Sequence, residues 1–215
     1  LAGPGREQQR RALEVVVAAE PSFSDELITR CIVAAEQQHL RVAIVLNKTD
    51  LAEKTEAARR QFAPFRALGY PVVELSARRD GAALLPLLAG QCSVLVGQSG
   101  MGKSTLINPL LPLAQAAVRE ISEALDSGKH TTTHTRLYRL DANSALIDSP
   151  GMQEFGLAHL TRVEIEQGFR EFLPFLDKCR FRDCRHDREP DCALRAAIAA
   201  GSIAPRRLEQ FHALC

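Results

Sequence analysis

This 215-residue sequence predicts an α/β fold, a mostly parallel sheet with helices on both faces, followed by a small C-terminal helical domain. From residue 13 onward, short β-branched runs alternate with stretches of helical period, which is the pattern of a doubly covered parallel sheet. After Gly151 the composition changes and only helical patterns remain. A hydrophobic content of 46% and a charged content of 25% are ordinary for a globular chain of this size. The net charge of +1 gives no global nucleic-acid or membrane signal. No apolar run approaches the ~20 residues of a membrane span, and no charged-then-apolar leader opens the chain. It begins at Leu1 rather than Met and reads as a piece of a longer protein, with Gly3–Gly5 and Arg6–Arg11 as a loop or frayed end.

Leu13–Ala18 reads as the first strand. Ser24–Gln38 is a helix with Leu27, Ile28, Cys31, Ile32 and Ala35 on one face. Val42–Leu46 is a buried strand. Ala52–Leu68 is mostly helical, with Pro64 expected to kink or break it and Gly69 to stop it. Val72–Leu75 is a strand, Gly81–Ala89 a short helix containing Pro86, and Ser93–Val96 a strand. Arg136–Leu140 and Ala145–Ile147 complete the strand set. Leu113–His134 lacks periodicity and reads as a long loop. Thr161-x-x-Glu164 has the capping-box form and opens a helix whose Val163, Phe169, Phe172, Leu173 and Leu176 can face a core. Leu194–Ala200 and Pro205–Ala213 are the last helices, with Gly201 stopping the first.

Residues 97–105, Gly-Gln-Ser-Gly-Met-Gly-Lys-Ser-Thr, fit the phosphate loop G-x-x-x-x-G-K-[ST] and stand between a strand and a helix. Gly97, Gly100 and Gly102 let the backbone of this loop, with Gln98, Ser99 and Met101, turn its N–H groups toward a polyphosphate. The helix that follows adds its positive end. Lys103 is placed to reach β/γ-phosphates, Ser104 to ligate Mg²⁺ and Thr105 to approach the α-phosphate. Pro109 should kink or shorten that helix.

Asn47-Lys48-Thr49-Asp50 follows a strand and has the form of a guanine-reading loop. Asp50 can accept from guanine N1–H and the exocyclic amine, a pairing adenine cannot reciprocate. Asn47 serves guanine N7 or ties this loop to the phosphate loop, and the stem of Lys48 covers the base. Ser76-Ala77-Arg78 resembles the loop whose backbone N–H contacts guanine O6. Asp148-Ser149-Pro150-Gly151 ends a strand, so Asp148 can hold Mg²⁺ through water and the Gly151 N–H can touch a γ-phosphate. One of Thr131, Thr132 and Thr133 closes over Mg²⁺ and γ-phosphate. Met152 stands where a Ras-like GTPase has a water-orienting glutamine, so unaided hydrolysis should be slow. His130 and Gln153 are substitutes that spacing does not assure.

Cys179-x4-Cys184-x-His186-x5-Cys192 offers three thiolates and an imidazole, a set suited to one structural, tetrahedral Zn²⁺. Cys31 and Cys92 sit alone in apolar segments and read as core residues; Cys215 is terminal. Arg180, Arg182, Arg185 and Arg188, with Phe181 among them, suit RNA contact, while the interspersed acids suit a solvated surface equally well.

The base-reading loop precedes the phosphate loop, the reverse of a Ras-like chain. That order is a circular permutation, in which the same strands and loops are kept and the ring is cut elsewhere. In Asn47–Asp50, Gly97–Thr105, Gly128–Thr133, Asp148–Gly151 and the Cys/His cluster, the chain resembles the RsgA/YjeQ family of circularly permuted, ribosome-dependent GTPases. The resemblance implies a circularly permuted P-loop GTPase domain over residues 1–158 and a helical zinc-binding domain over 159–215. It also implies GTP hydrolysis in late maturation of the small ribosomal subunit, stimulated by that subunit and its rRNA, in a cytoplasmic monomer that exchanges GTP and GDP. The family carries an N-terminal OB-fold as well, which this sequence does not include. The rival readings are an ATPase, which the guanine loop opposes, and an RNA-binding module on which the nucleotide is mainly structural.

Overall fold

The structure, a computed structural model, describes residues 10–110, 135–149 and 156–215. By its internal contacts the chain forms two compact units, Leu1–Ser24 with Leu40–Phe155, and Asp25–His39 with Gly156–Cys215.

The first unit is built on a six-stranded sheet of β1 (Arg10–Ala18), β2 (Arg41–Asn47), β3 (Val72–Glu74), β4 (Gln91–Val96), β5 (Arg136–Arg139) and β6 (Ala145–Asp148), in the order β3-β2-β1-β4-β6-β5. All pairings are parallel except β5 with β6. Central β1 is buried from Ala12 to Ala18, as expected of a strand covered on both faces. Val16, Ala18, Val45, Leu95 and Leu146 share one core with the 3₁₀ turn Gly81–Leu84, helix α3 (Leu85–Leu88) and the phosphate-loop helix α4 (Lys103–Ile107). Helix α2 (Ala52–Ala67) runs through Pro64, contrary to the expected break. Pro64 lies in the last turn, where its missing N–H removes a single bond and the Leu68 N–H still closes on the Pro64 carbonyl at 3.1 Å. Helix α4 is only five residues long and ends before Pro109, as expected. The segment 113–134 lies outside the described residues.

The second unit contains α1 (Asp25–Gln37), α5 (Arg162–Gln167), α6 (Ala193–Ala199) and α7 (Pro205–Leu214). Helix α1 packs with α5 and α7, so it groups with the C-terminal segments although it lies within the 1–158 range expected for the first domain. The Thr161/Glu164 capping box is present on both sides. Its helix stops at Gln167, however, and residues 170–177 are turns: the bonding shifts to three residues back, with the N–H groups of Phe169, Phe172 and Phe175 closing on the carbonyls of Glu166, Phe169 and Phe172. Phe169 and Phe172 are buried, as expected, whereas Val163 and Leu173 face solvent. Phe169 and Phe172 stack at 4.7 Å and meet Phe211 edge-on at 5.8 and 5.7 Å. Buried Arg207 lies over Phe169 and bonds Glu171 Oε1, Thr29 and Gln210, which ties α1 to α7, while Glu171 Oε2 is buried without a hydrogen-bond partner among the described residues.

Candidate nucleotide site and metal centre

The loops that follow β2, β3, β4 and β6 emerge from the carboxyl ends of parallel strands, where open α/β sheets bind ligands. Asn47, 1% exposed, joins the first three of them. Its Nδ2 donates to the Met101 carbonyl at 2.9 Å, and its Oδ1 accepts from the Ala77 N–H at 2.9 Å and the Lys48 N–H at 2.8 Å. One amide thus fastens the guanine-type loop to both the Ser76–Ala77 loop and the phosphate loop. Thr49 adds an N–H bond to the Leu75 carbonyl at 3.3 Å. Lys48, at φ 61°, donates to the Glu20 carbonyl at 2.8 Å and the Gly100 carbonyl at 2.9 Å.

Asp50 is exposed beside these loops. A hydrogen bond from the Ser76 side chain, then one from its own backbone N–H, hold its carboxyl below the usual range, and Arg79 and Arg78 add to this. The Ser76 N–H is taken by Asp80 Oδ1 at 2.6 Å, and that of Ala77 by Asn47. Asp80 is a supporting residue that sequence reasoning missed.

In the phosphate loop, Gly97 approaches β1 so closely that a Cβ there would lie 2.2 Å from the Val16 carbonyl oxygen. Gly102 takes φ 89°, and a Cβ on it would stand 2.4 Å from Asn47 Nδ2. Only glycine fits either position, and their missing side chains let the loop press against the Val16 carbonyl of β1 and against the Asn47 amide. Lys103, 6% exposed, holds its ammonium on the Gly97 and Gln98 carbonyls at 2.7 and 3.2 Å. Burial lowers its pKa, opposed by the charge of Asp148. Gln98, Ser99 and Gly100 form the open rim, Met101 packs into the core, and Ser104 and Thr105 are exposed at the helix start. Ser104 Oγ and the buried Asp148 Oδ2 stand 3.5 Å apart, two hard oxygen donors of the kind Mg²⁺ takes. Thr131, Thr132, Thr133, Gly151, Met152, Gln153 and His130 lie outside the described residues.

In the second unit, the ligand atoms of Cys179, Cys184, His186 and Cys192 all lie within 4.8 Å of one another. Cys179 Sγ is 3.9 Å from Cys192 Sγ and 3.6 Å from His186 Nδ1, which is 3.3 Å from Cys192 Sγ. Tetrahedral Zn²⁺ with Zn–S near 2.3 Å sets neighbouring sulfurs about 3.8 Å apart, so the donor set fits that ion. The Ala193 N–H donates to Cys179 Sγ at 3.3 Å. His186 Nε2 contacts Glu166 Oε1, which fixes the ring so that Nδ1 faces the thiols. Nothing in the sequence ties Glu166 to a histidine twenty residues on; only folding pairs them.

The fold and these loops define a P-loop nucleotide-binding protein of the circularly permuted kind, with a small helical unit that carries a Cys₃His cluster. A family profile described as RsgA GTPase matches residues 11–158, and the chain belongs to that family. It is 54% identical over 200 residues to a small ribosomal subunit biogenesis GTPase RsgA of Nitrosospira multiformis, covering 93% of this chain and 64% of that one. The RsgA of Nitrosomonas europaea is 53% identical over 205 residues, 94% of this chain and 65% of that protein. The chain therefore spans just under two-thirds of the length of these relatives. Among solved structures it resembles YjeQ from Thermotoga maritima, with a TM-score of 0.73 and 30% identity over 95% of this chain and 71% of that one. YloQ, titled a circularly permuted GTPase, shares the fold with a TM-score of 0.72 at 24% identity, over 94% of this chain and 66% of that one.

Proposed function

We propose that this chain is the nucleotide-binding part of a Mg²⁺-dependent GTP hydrolase of late small-subunit maturation, stimulated by the small ribosomal subunit and released from it on hydrolysis. The joint made by Asn47 is the observation that carries this reading. One buried amide assembles a base-reading loop and a phosphate loop into a single site. The names of the relatives supply the ribosomal context.

In this reading Asp50 accepts from guanine N1–H and the exocyclic amine, Lys48 covers the base, and Thr49, Ser76 and Ala77 shape the surrounding loops. Residues 97–102 direct N–H groups at the phosphates. Lys103 transfers its ammonium from the loop carbonyls to β/γ-phosphate oxygens, and Thr105 approaches the α-phosphate. Ser104 and Asp148 would hold one Mg²⁺, which when bound neutralises charge on the phosphate oxygens. Gly151 and one of Thr131–Thr133 close over the γ-phosphate. Cys179, Cys184, His186 and Cys192 would hold one structural Zn²⁺, cross-linking a unit in which α5 and α6 are short. The protein acts as a cytoplasmic monomer that binds GTP and GDP, and the Arg180–Arg188 insert touches rRNA. No helix among the described residues is long and apolar enough to cross a membrane.

Met152 favours a second reading, an RNA-binding module on which the nucleotide is mainly structural, because a thioether cannot orient water. Competition of GTP, GDP and ATP for the chain, followed by single-turnover hydrolysis by the full-length protein with and without small subunits, separates the two. Tight guanine binding without stimulated turnover selects the module. Preference for ATP removes both.

A further inference from the structure

We propose that Phe23, through the Ala19–Phe23 segment it anchors, is a positioning residue of the guanine-nucleotide site. The inference rests on the guanine-binding reading above.

This segment leaves β1 and passes between the two loops that hold opposite ends of a nucleotide. The Ala19 N–H donates to the Asn47 carbonyl at 3.0 Å, extending the β1–β2 pairing into the base-reading loop. The Glu20 carbonyl shares the Lys48 ammonium with the Gly100 carbonyl, at 2.8 and 2.9 Å. Lys48 is therefore a strut between three segments as well as a cover for a base. Pro21 follows at the phosphate-loop turn, its Cγ 4.0 Å from where a Cβ on Gly100 would stand.

Two side chains fix the segment to the rest of the unit. Glu20 pairs with Lys54 at 3.2 Å, but both side chains are more than half exposed and the pair contributes little. Phe23 stacks on the fully buried Phe62 of α2 at 4.9 Å with the rings 14° from parallel, and packs against the sheet core. The stack is thus the anchor. It sets where the Glu20 carbonyl lies, the carbonyl sets where the Lys48 ammonium lies, and the ammonium ties the base-reading loop to Gly100. Phe23 itself touches no nucleotide in this arrangement.

The test is the dissociation rate of a fluorescent GDP, displaced by excess GDP, from chains confirmed as folded by circular dichroism and a urea midpoint. Phe23→Ala is expected to speed release about tenfold, the scale on which one stacked aromatic pair matters. Phe23→Tyr, which keeps the stack, should stay near the unmutated rate. Because Phe23 acts through Lys48, the effects of Phe23→Ala and Lys48→Met should be clearly less than additive in a double-mutant cycle. A purely structural Phe23 would lower the urea midpoint and leave the release rate alone. Should Phe23→Ala fail to fold, Phe23→Leu serves instead, since it keeps most of the volume and loses the stack. Wild-type release from a folded variant, or additive effects in the cycle, overturns the proposal. Failure of the unmutated chain to bind GDP at all overturns the guanine reading, and this inference with it.

Discussion

Replacing Asn47 by alanine tests the joint of the site. The side chain makes three hydrogen bonds, and two of them, to the Met101 carbonyl and from the Ala77 N–H, are buried. The third, from the Lys48 N–H, is partly exposed, and water can replace it. Alanine therefore strands one buried acceptor and one buried donor. Each such group costs about 1–3 kcal/mol, so Asn47→Ala should destabilise the sheet unit by roughly 2–6 kcal/mol. That is a large part of the ~5–15 kcal/mol typical of a domain. Asn47→Asp keeps both acceptor bonds but turns a carboxylate oxygen toward the Met101 carbonyl, and should be at least as damaging at neutral pH. The assay is urea unfolding with GDP affinity measured alongside. The m-value should hold while the midpoint falls, and GDP binding should weaken because the two loops are no longer fastened. A variant within 1 kcal/mol of the unmutated chain that still binds GDP normally would refute the role given to Asn47.

Other substitutions test separate parts. Asp50→Asn should weaken GTP and improve xanthosine triphosphate, since xanthine presents a carbonyl where guanine presents an amine; equal affinities for the two nucleotides would remove Asp50 as the base reader. Glu14 is buried in β1, bonded to Ser93 Oγ at 3.1 Å, and burial raises its pKa from 4.5 to about 7. Its favourable contribution is full below pH 4.5 and is lost as pH rises through 7, a swing of up to about 3 kcal/mol. Glu14→Gln should accordingly be the more stable chain at pH 8 and close to the unmutated one at pH 4.5; identical pH profiles in urea unfolding would show that Glu14 does not titrate between folded and unfolded states. Metal analysis should find about one Zn²⁺ per chain, lost in Cys184→Ser, and Glu166→Gln should weaken zinc about 10–100-fold in chelator competition. Full zinc occupancy in Cys184→Ser would mean that the ligand set is wrong.

The parts of the site written as short contiguous signals were legible in the sequence. Gly97–Thr105 and Asn47–Asp50 each follow a β-branched run, and a strand feeding a loop is a local pattern that the buried parallel sheet then enforces. The capping box was readable because both of its bonds close within four residues. What escaped was set by contacts distant in sequence. Helix α1 shows one apolar face, but that face does not say which segments will cover it, and it groups with α5 and α7. Glu166 looks like any surface carboxylate until folding brings His186 to it. The Phe23–Phe62 stack joins residues with no local relation, and the carbonyl it positions has no side-chain signature. The expected helix through Leu176 failed because an apolar spacing that suits a helix also suits successive turns around an aromatic cluster. There Phe169 and Phe172 stack on each other while Leu173 stays in solvent.

Coupled hydrolysis is tested most directly by single-turnover GTP cleavage in the full-length protein, with and without purified small ribosomal subunits. With Met152 in place of a water-orienting glutamine, hydrolysis without subunits should be slow. Subunits should accelerate it by ~10³–10⁵, equivalent to roughly 4–7 kcal/mol of transition-state stabilisation. Fast cleavage by the protein alone, unchanged by added subunits, would contradict a hydrolase whose partner completes its site.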